Sequence, residues 1–99
     1  MEIKLMINGE EKTFRNEFVS AKMLRKSFKI YDALSKIEDS FLVDDEVFSQ
    51  INAFFIDLYN NQFTEDEFEC GIRSGEFIDI VIEQLQTVGG VLAEGDSKN

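Results

Sequence analysis

The sequence predicts a mostly helical α+β domain, an N-terminal β-hairpin followed by a bundle of about four helices. Three observations predict it. Apolar residues alternate with polar ones at Ile3, Leu5 and Ile7 up to Asn8-Gly9, the pattern of a half-buried strand running into a dipeptide that tolerates positive φ at both turn positions. From Ser20 onward apolar residues recur at helical spacing. Residues that open and close helices stand at the ends of those periodic runs.

The hairpin covers residues 2–15. Counting across the turn pairs Ile7 with Glu10, Leu5 with Lys12 and Ile3 with Phe14, which puts Ile3, Leu5, Ile7 and Phe14 on one face. A lone hairpin is barely stable in water, so this face must lie on another element. The first helix, about 20–37, repeats Met23, Ile30, Leu34 and Ile37, with Leu24, Phe28 and Tyr31 widening the stripe and Ser20 as N-cap. The second, about 44–59, puts Val47, Phe48, Ile51, Phe54, Phe55 and Leu58 on one broad face. Asp44, Asp45 and Glu46 sit at its start, where the helix dipole favours negative charge.

Thr64 followed by Glu67 is a capping-box pattern for a short helix at about 65–71, with Gly71 placed to end it. Ser74 can cap the last helix, about 75–88, which turns Phe77, Ile78, Val81, Leu85 and Val88 inward and stops at Gly89-Gly90. Residues 91–99 lack periodicity and read as a flexible tail beyond a single domain at 1–90. There is no proline, so the breaks fall at Gly and Asn, and the core draws on most of the ten phenylalanines.

Ninety-nine residues support one hydrophobic core. The apolar fraction of 43% places the chain among globular proteins, although a net charge of -10 adds self-repulsion. The lone Cys70 permits no intramolecular disulfide, which points to a reducing compartment and the cytoplasm. The first residues are too polar for a signal peptide, and no run approaches the ~18 apolar residues of a membrane span.

Catalytic chemistry finds little to work with. The chain has no histidine, hence neither the commonest general base nor the commonest metal ligand. Cys70 has no imidazole to activate it and reads as a small core residue. The clusters Asp44-Asp45-Glu46 and Glu65-Asp66-Glu67 lack the spacing of a calcium loop and sit at helix starts. No glycine-rich phosphate loop is present. The expectation is a protein that is not an enzyme and has no catalytic residue, cofactor or metal.

Charge distribution is more informative. Residues 1–37 carry eight of the ten basic residues against five acids, a net of +3, whereas residues 38–99 carry a net of -13. Lys22, Arg25, Lys26, Lys29 and Lys36 lie mostly opposite the apolar stripe of the first helix. Such a molecule can attract an oppositely charged partner or copies of itself, and Lys22, Arg25, Lys26 and Lys29 are the candidate partner-binding residues. The plainer alternative is a solvated helix face. Nucleic acid and membrane are disfavoured as partners by the strongly acidic remainder.

The order of features resembles the small tail assembly chaperones of long-tailed bacteriophages, in particular those infecting Gram-positive bacteria. The likeness rests on the hairpin around Ile7-Asn8-Gly9, on Ala21, Leu24 and Arg25 in the next helix, on the run Phe54-Phe55-Ile56-Asp57-Leu58-Tyr59, and on Gln62-Phe63-Thr64 with the following acids and Gly71. It covers residues 2 to 88. The last motif adds Phe63 as a candidate contact; by the residues alone, Phe63 can instead precede the Thr64 cap and pack on Phe68.

The resemblance implies a protein that binds the tape measure protein in the host cytoplasm, keeps it soluble, helps recruit tail tube subunits and is absent from the finished virion. Related phages also make a longer form by frameshifting near the end of the gene. The rivals are a small acidic inhibitor that mimics DNA, which needs a regular carboxylate track on one face, and a bacterial regulatory adaptor.

Overall fold

A computed structural model describes residues 1–37 and 43–90. Strands β1 (Glu2–Ile7) and β2 (Glu10–Arg15) form the hairpin; helices α1 (Ala21–Ser35), α2 (Asp45–Leu58), α3 (Glu65–Cys70) and α4 (Phe77–Val88) follow. The expected tail at 91–99 lies outside the described residues.

The hairpin register is the one that counting across the turn gives, with Ile3 opposite Phe14, Leu5 opposite Lys12 and Ile7 opposite Glu10. Asn8 (φ 54°) and Gly9 (φ 82°) both hold positive φ, as a two-residue turn between right-twisted strands demands. Ile3 and Leu5 are buried, and Met6 N–H donates to Gly71 O at 3.0 Å, fastening the hairpin to the end of α3. Gly71 is needed there for close approach. A Cβ would meet Glu67 O at 2.7 Å and Leu5 Cβ at 2.9 Å. Its φ of -92° is ordinary, so it ends α3 without the left-handed turn its sequence position suggests.

Ser20 Oγ, Asp44 Oδ1 and Thr64 Oγ1 cap α1, α2 and α3, each accepting from the backbone N–H three residues on. Glu67 returns the bond to Thr64 N–H, completing the capping box. The chain leaves α2 through Asn60 and Asn61, both left-handed at φ 58° and 60°. Their N–H groups bond back to Asp57 O and Ile56 O, the paired closure of a Schellman motif.

Ser74 does not cap α4. Ser74–Glu76 winds as a 3-10 turn, and α4 begins at Phe77 with no side-chain cap. The tighter turn brings Phe77 onto the core, where its ring stacks on Phe48 at 4.9 Å and meets Phe68 edge-on at 6.1 Å.

The core gathers Ile3 and Leu5 from the hairpin, Met23 and Ile30 from α1, Ile51, Phe54, Phe55 and Leu58 from α2, Tyr59 and Phe63 beyond it, Phe68 from α3, and Phe77, Val81 and Leu85 from α4. Five phenylalanines are buried, while Phe14 and Phe48 pack against the core from the side. Phe41 lies outside the described residues.

Two further expectations need correction. Phe28 and Tyr31 do not widen the buried stripe of α1: they are 60% and 48% exposed. The buried line runs through Met23, Ser27 and Ile30, and Ser27 fits because its hydroxyl donates to Leu24 O within the helix. Cys70 is exposed and not a core residue, with its thiol 3.8 Å from an Asp66 carboxylate oxygen. Two residues beyond the buried Phe68 is about 200° round a helix, which turns Cys70 to solvent.

Candidate functional site

Helix α1 packs against α2 on one flank and α4 on another. Of the four basic residues singled out in the sequence, three lie on what remains outward and one at the α2 seam. Lys22, Arg25 and Lys29 are exposed, and among the described residues none of the three forms an ion pair. Lys26 differs. Its ammonium lies 2.6 Å from the Asp57 carboxylate and ties α1 to the end of α2, with both groups partly open to water. Lys36 pairs with Asp32 one turn earlier at 3.1 Å.

The α1–α2 seam is a shallow groove of about 350 Å³. Ile30, Ala53 and Phe54 supply its apolar walls, and Lys26, Lys29 and Gln50 supply the polar ones. The arrangement follows from the sequence spacing: Lys26, Lys29 and Ile30 are three and four residues apart on one side of α1. The groove offers apolar contact beside two cations.

The other flank of α1 is aromatic. Leu24, Phe28 and Tyr31 stand at i, i+4 and i+7, so they form one ridge along the helix, half-buried at Leu24 and exposed beyond it. Phe18, 78% exposed, lies in the segment leading to α1. Phe28 and Tyr31 thus give α1 an exposed aromatic edge.

Phe63 stands apart from this surface. It is 3% exposed, with its ring 5.0 Å from Phe14, 5.7 Å from Tyr59 and 6.0 Å from Phe68, nearly parallel to the last. That contact is the hydrophobic staple read from the residues, and it shapes the entrance to α3 from inside the core.

A second apolar surface was not legible as a site. Between the starts of α2 and α4 lies a groove of about 510 Å³ floored by Phe48, Ile72, Phe77 and Ile78, with Glu69 and Asp79 at its edge. Glu69 is held there by the side-chain amide of Asn52, which is buried and donates to its carboxylate. Among the described residues, Asn52 Oδ1 is the buried side-chain polar atom left without a partner.

Two buried polar groups hold the elements that carry these surfaces. Asn16, 6% exposed, donates from Nδ2 to Leu58 O and accepts from Phe18 N–H at 2.9 Å, linking the hairpin, the end of α2 and the approach to α1. Tyr59 OH donates to Gln84 Oε1 at 2.6 Å, and Gln84 Nε2 donates to Glu2 O at 2.8 Å. Burial pushes the Tyr59 phenol well above its ordinary value, the Gln84 bond opposes that, and the Glu2 carboxylate adds to it.

Among the described residues no group of three or more acidic, histidine or cysteine side chains is placed to hold a metal ion, and no helix is long and apolar enough to cross a membrane. Comparison with curated proteins and comparison with solved structures each found no match. A family model described as phage tail chaperone protein matches residues 1–99, the whole length of the sequence. With its hairpin, four helices and basic first helix, the chain belongs to the phage tail chaperone protein family.

Proposed function

We propose that this protein binds the tape measure protein in the host cytoplasm, keeps that client soluble, helps recruit tail tube subunits, and leaves before the virion is finished. The observation that carries the reading is the α1–α2 groove, where Ile30, Ala53 and Phe54 lie beside Lys26 and Lys29. A client helix with an apolar stripe and a neighbouring acidic residue fits such a groove: its apolar side chains leave water, and its carboxylate meets Lys29. The net charge of -10 keeps the loaded complex repelling its neighbours, which opposes aggregation of a client with exposed apolar helices. The chain acts here by binding and not by catalysis.

Co-expression with the tape measure protein of the same phage tests this. The client is expected to stay in the supernatant and to co-purify. Ala53→Glu, at an exposed wall of the groove, is expected to lower the recovered client at least about tenfold, because binding would bury its carboxylate against the client's apolar stripe. A client that is equally insoluble with and without the protein overturns the reading.

A further inference from the structure

We propose that the outer edge of β1 takes an added strand, a short extended basic segment of another protein that pairs with Lys4 and Glu2 in the slot between β1 and α4. This goes beyond client binding, because the slot shares no residue with the α1–α2 groove.

The hydrogen bonds of the hairpin fix which groups are open. Met1 and Asn16 exchange both backbone bonds, at 2.9 Å each. Exchanging pairs recur at every second position of an antiparallel ladder, so Ile3, Leu5 and Ile7 turn their N–H and C=O groups to β2, while Glu2, Lys4 and Met6 turn theirs to the outer edge. Gly71 O takes Met6 N–H at 3.0 Å, and the Gln84 side-chain amide donates to Glu2 O at 2.8 Å. Lys4 lies between them. Among the described residues nothing bonds to its N–H or C=O from outside the hairpin.

Gly71 and Gln84 therefore stand at the two ends of a third strand whose middle is empty. Gly71 is backbone and fixed, whereas the Gln84 amide is the end of a flexible side chain in an exposed bond. A segment that starts beside Gly71 and runs antiparallel to β1 meets the Lys4 N–H and C=O first, then replaces the Gln84 amide on Glu2 O.

The slot, about 470 Å³, selects the side chains. Neighbours of the residue facing Lys4 point to the same side of the sheet as Ile3 and Leu5. Ile72 and Ile80, which pack against the core, line the slot there and favour apolar side chains. The acids Glu2, Glu11, Glu76 and Glu83 outnumber the cations Lys4 and Arg73, so the slot fits a basic segment and repels an acidic one. Main-chain bonds supply the affinity and alternating side chains the selectivity, as in other recognition by strand addition.

Titration of the isotope-labelled intact chain with the peptide acetyl-Val-Thr-Val-Lys-Lys-amide, followed by nuclear magnetic resonance, tests this. In low salt the Lys4 amide is expected to shift, and at saturation to exchange with solvent at least about tenfold more slowly. N-methylation of the threonine removes the N–H that donates to Lys4 O and is expected to weaken binding at least about tenfold. N-methylation of the valine that follows it blocks a group facing away from β1, and is expected to leave the affinity within about twofold. Gln84→Ala removes the competing amide and is expected to tighten binding about threefold or more. The exposed pair Glu76→Lys and Glu83→Lys, made together, is expected to weaken it about fivefold or more. Circular dichroism checks that the helices persist in both variants.

A Lys4 amide that does not respond at millimolar peptide in low salt overturns the proposal. So do equal losses from the two methylated peptides, the mark of attraction by charge alone, or a Gln84→Ala chain that binds no better than the wild type. All readings are made without the tape measure protein, so their failure leaves the client reading standing, and the converse holds.

Discussion

Replacing Gly71 by alanine should loosen the hairpin from the helices, and its cost can be worked from the packing. The added methyl would stand 2.9 Å from Leu5 Cβ and 2.7 Å from Glu67 O, with Met6 O at 3.2 Å. Carbon atoms pack at about 3.5–4.0 Å, so the strand must retreat by roughly 0.6 Å or more. None of these atoms is the mobile end of a side chain. The retreat also stretches the 3.0 Å bond from Met6 N–H to Gly71 O. Overpacking of this kind costs about 1–3 kcal/mol, and the rigid neighbours place Gly71→Ala in the upper half, about 2–3 kcal/mol. For a domain of this size that is a fall in melting temperature of about 10–20 °C.

Urea unfolding followed by circular dichroism reads the change. Gly75→Ala is the matched control, since a Cβ there meets nothing within 4 Å and should stabilise the fold by about 0.4–1 kcal/mol. Leu5→Ala should not rescue Gly71→Ala, because alanine keeps the Cβ that clashes. Equal midpoints for Gly71→Ala and Gly75→Ala would refute the docking of β1 on the end of α3.

Three further outcomes follow from the buried polar groups and the α1–α2 tie. Asn16→Ala strips the Leu58 carbonyl and the Phe18 N–H of their partner and should cost about 2–3 kcal/mol in urea unfolding; Asn16→Asp, which sets a carboxylate against the Leu58 carbonyl, should cost more. Tyr59→Phe should lose about 1 kcal/mol at neutral pH with the Gln84 bond. In the wild type the folded phenol titrates above its unfolded value of about 10, so its contribution is complete below that pH and is lost as pH rises further, by at most about 1.4 kcal/mol per unit. Stability measured between pH 9 and 11 should therefore fall less steeply in Tyr59→Phe. Lys26→Ala should cost under about 1 kcal/mol, because both members of its ion pair are partly solvated.

What could be read in the sequence was what depends on neighbours along the chain. The Asn8-Gly9 turn, the hairpin register and the Thr64 to Glu67 capping box are each settled within a few residues, and each stands where the residue order puts it. The buried face of α1 was harder. Helical spacing gave the right stripe, but only tertiary packing decides how wide it is, and α2 and α4 cover Met23, Ser27 and Ile30 while leaving Phe28 and Tyr31 open. Of the candidate contacts, Lys22, Arg25 and Lys29 fell on an outward face as amphipathicity requires, and Lys26 at the seam with α2. Asn16 gave no signal, because a polar residue after a strand reads as a loop residue until Leu58, 42 positions away, is brought against it. The acid-edged groove was hidden for the same reason. Its walls come from α2, the end of α3 and α4, and no short window of sequence contains them.

The bond from Gln84 to Glu2 spans 82 positions, and Val81 and Leu85 beside it close the same core that Ile3 and Leu5 enter. A ribosome releasing this chain therefore makes the first strand long before its keeper. At roughly 5–20 residues per second the hairpin waits several seconds before its cover is complete. The end of α3 and Phe63 can reach the hairpin earlier, but the bond from Gln84 that completes its enclosure forms only when α4 has left the exit tunnel.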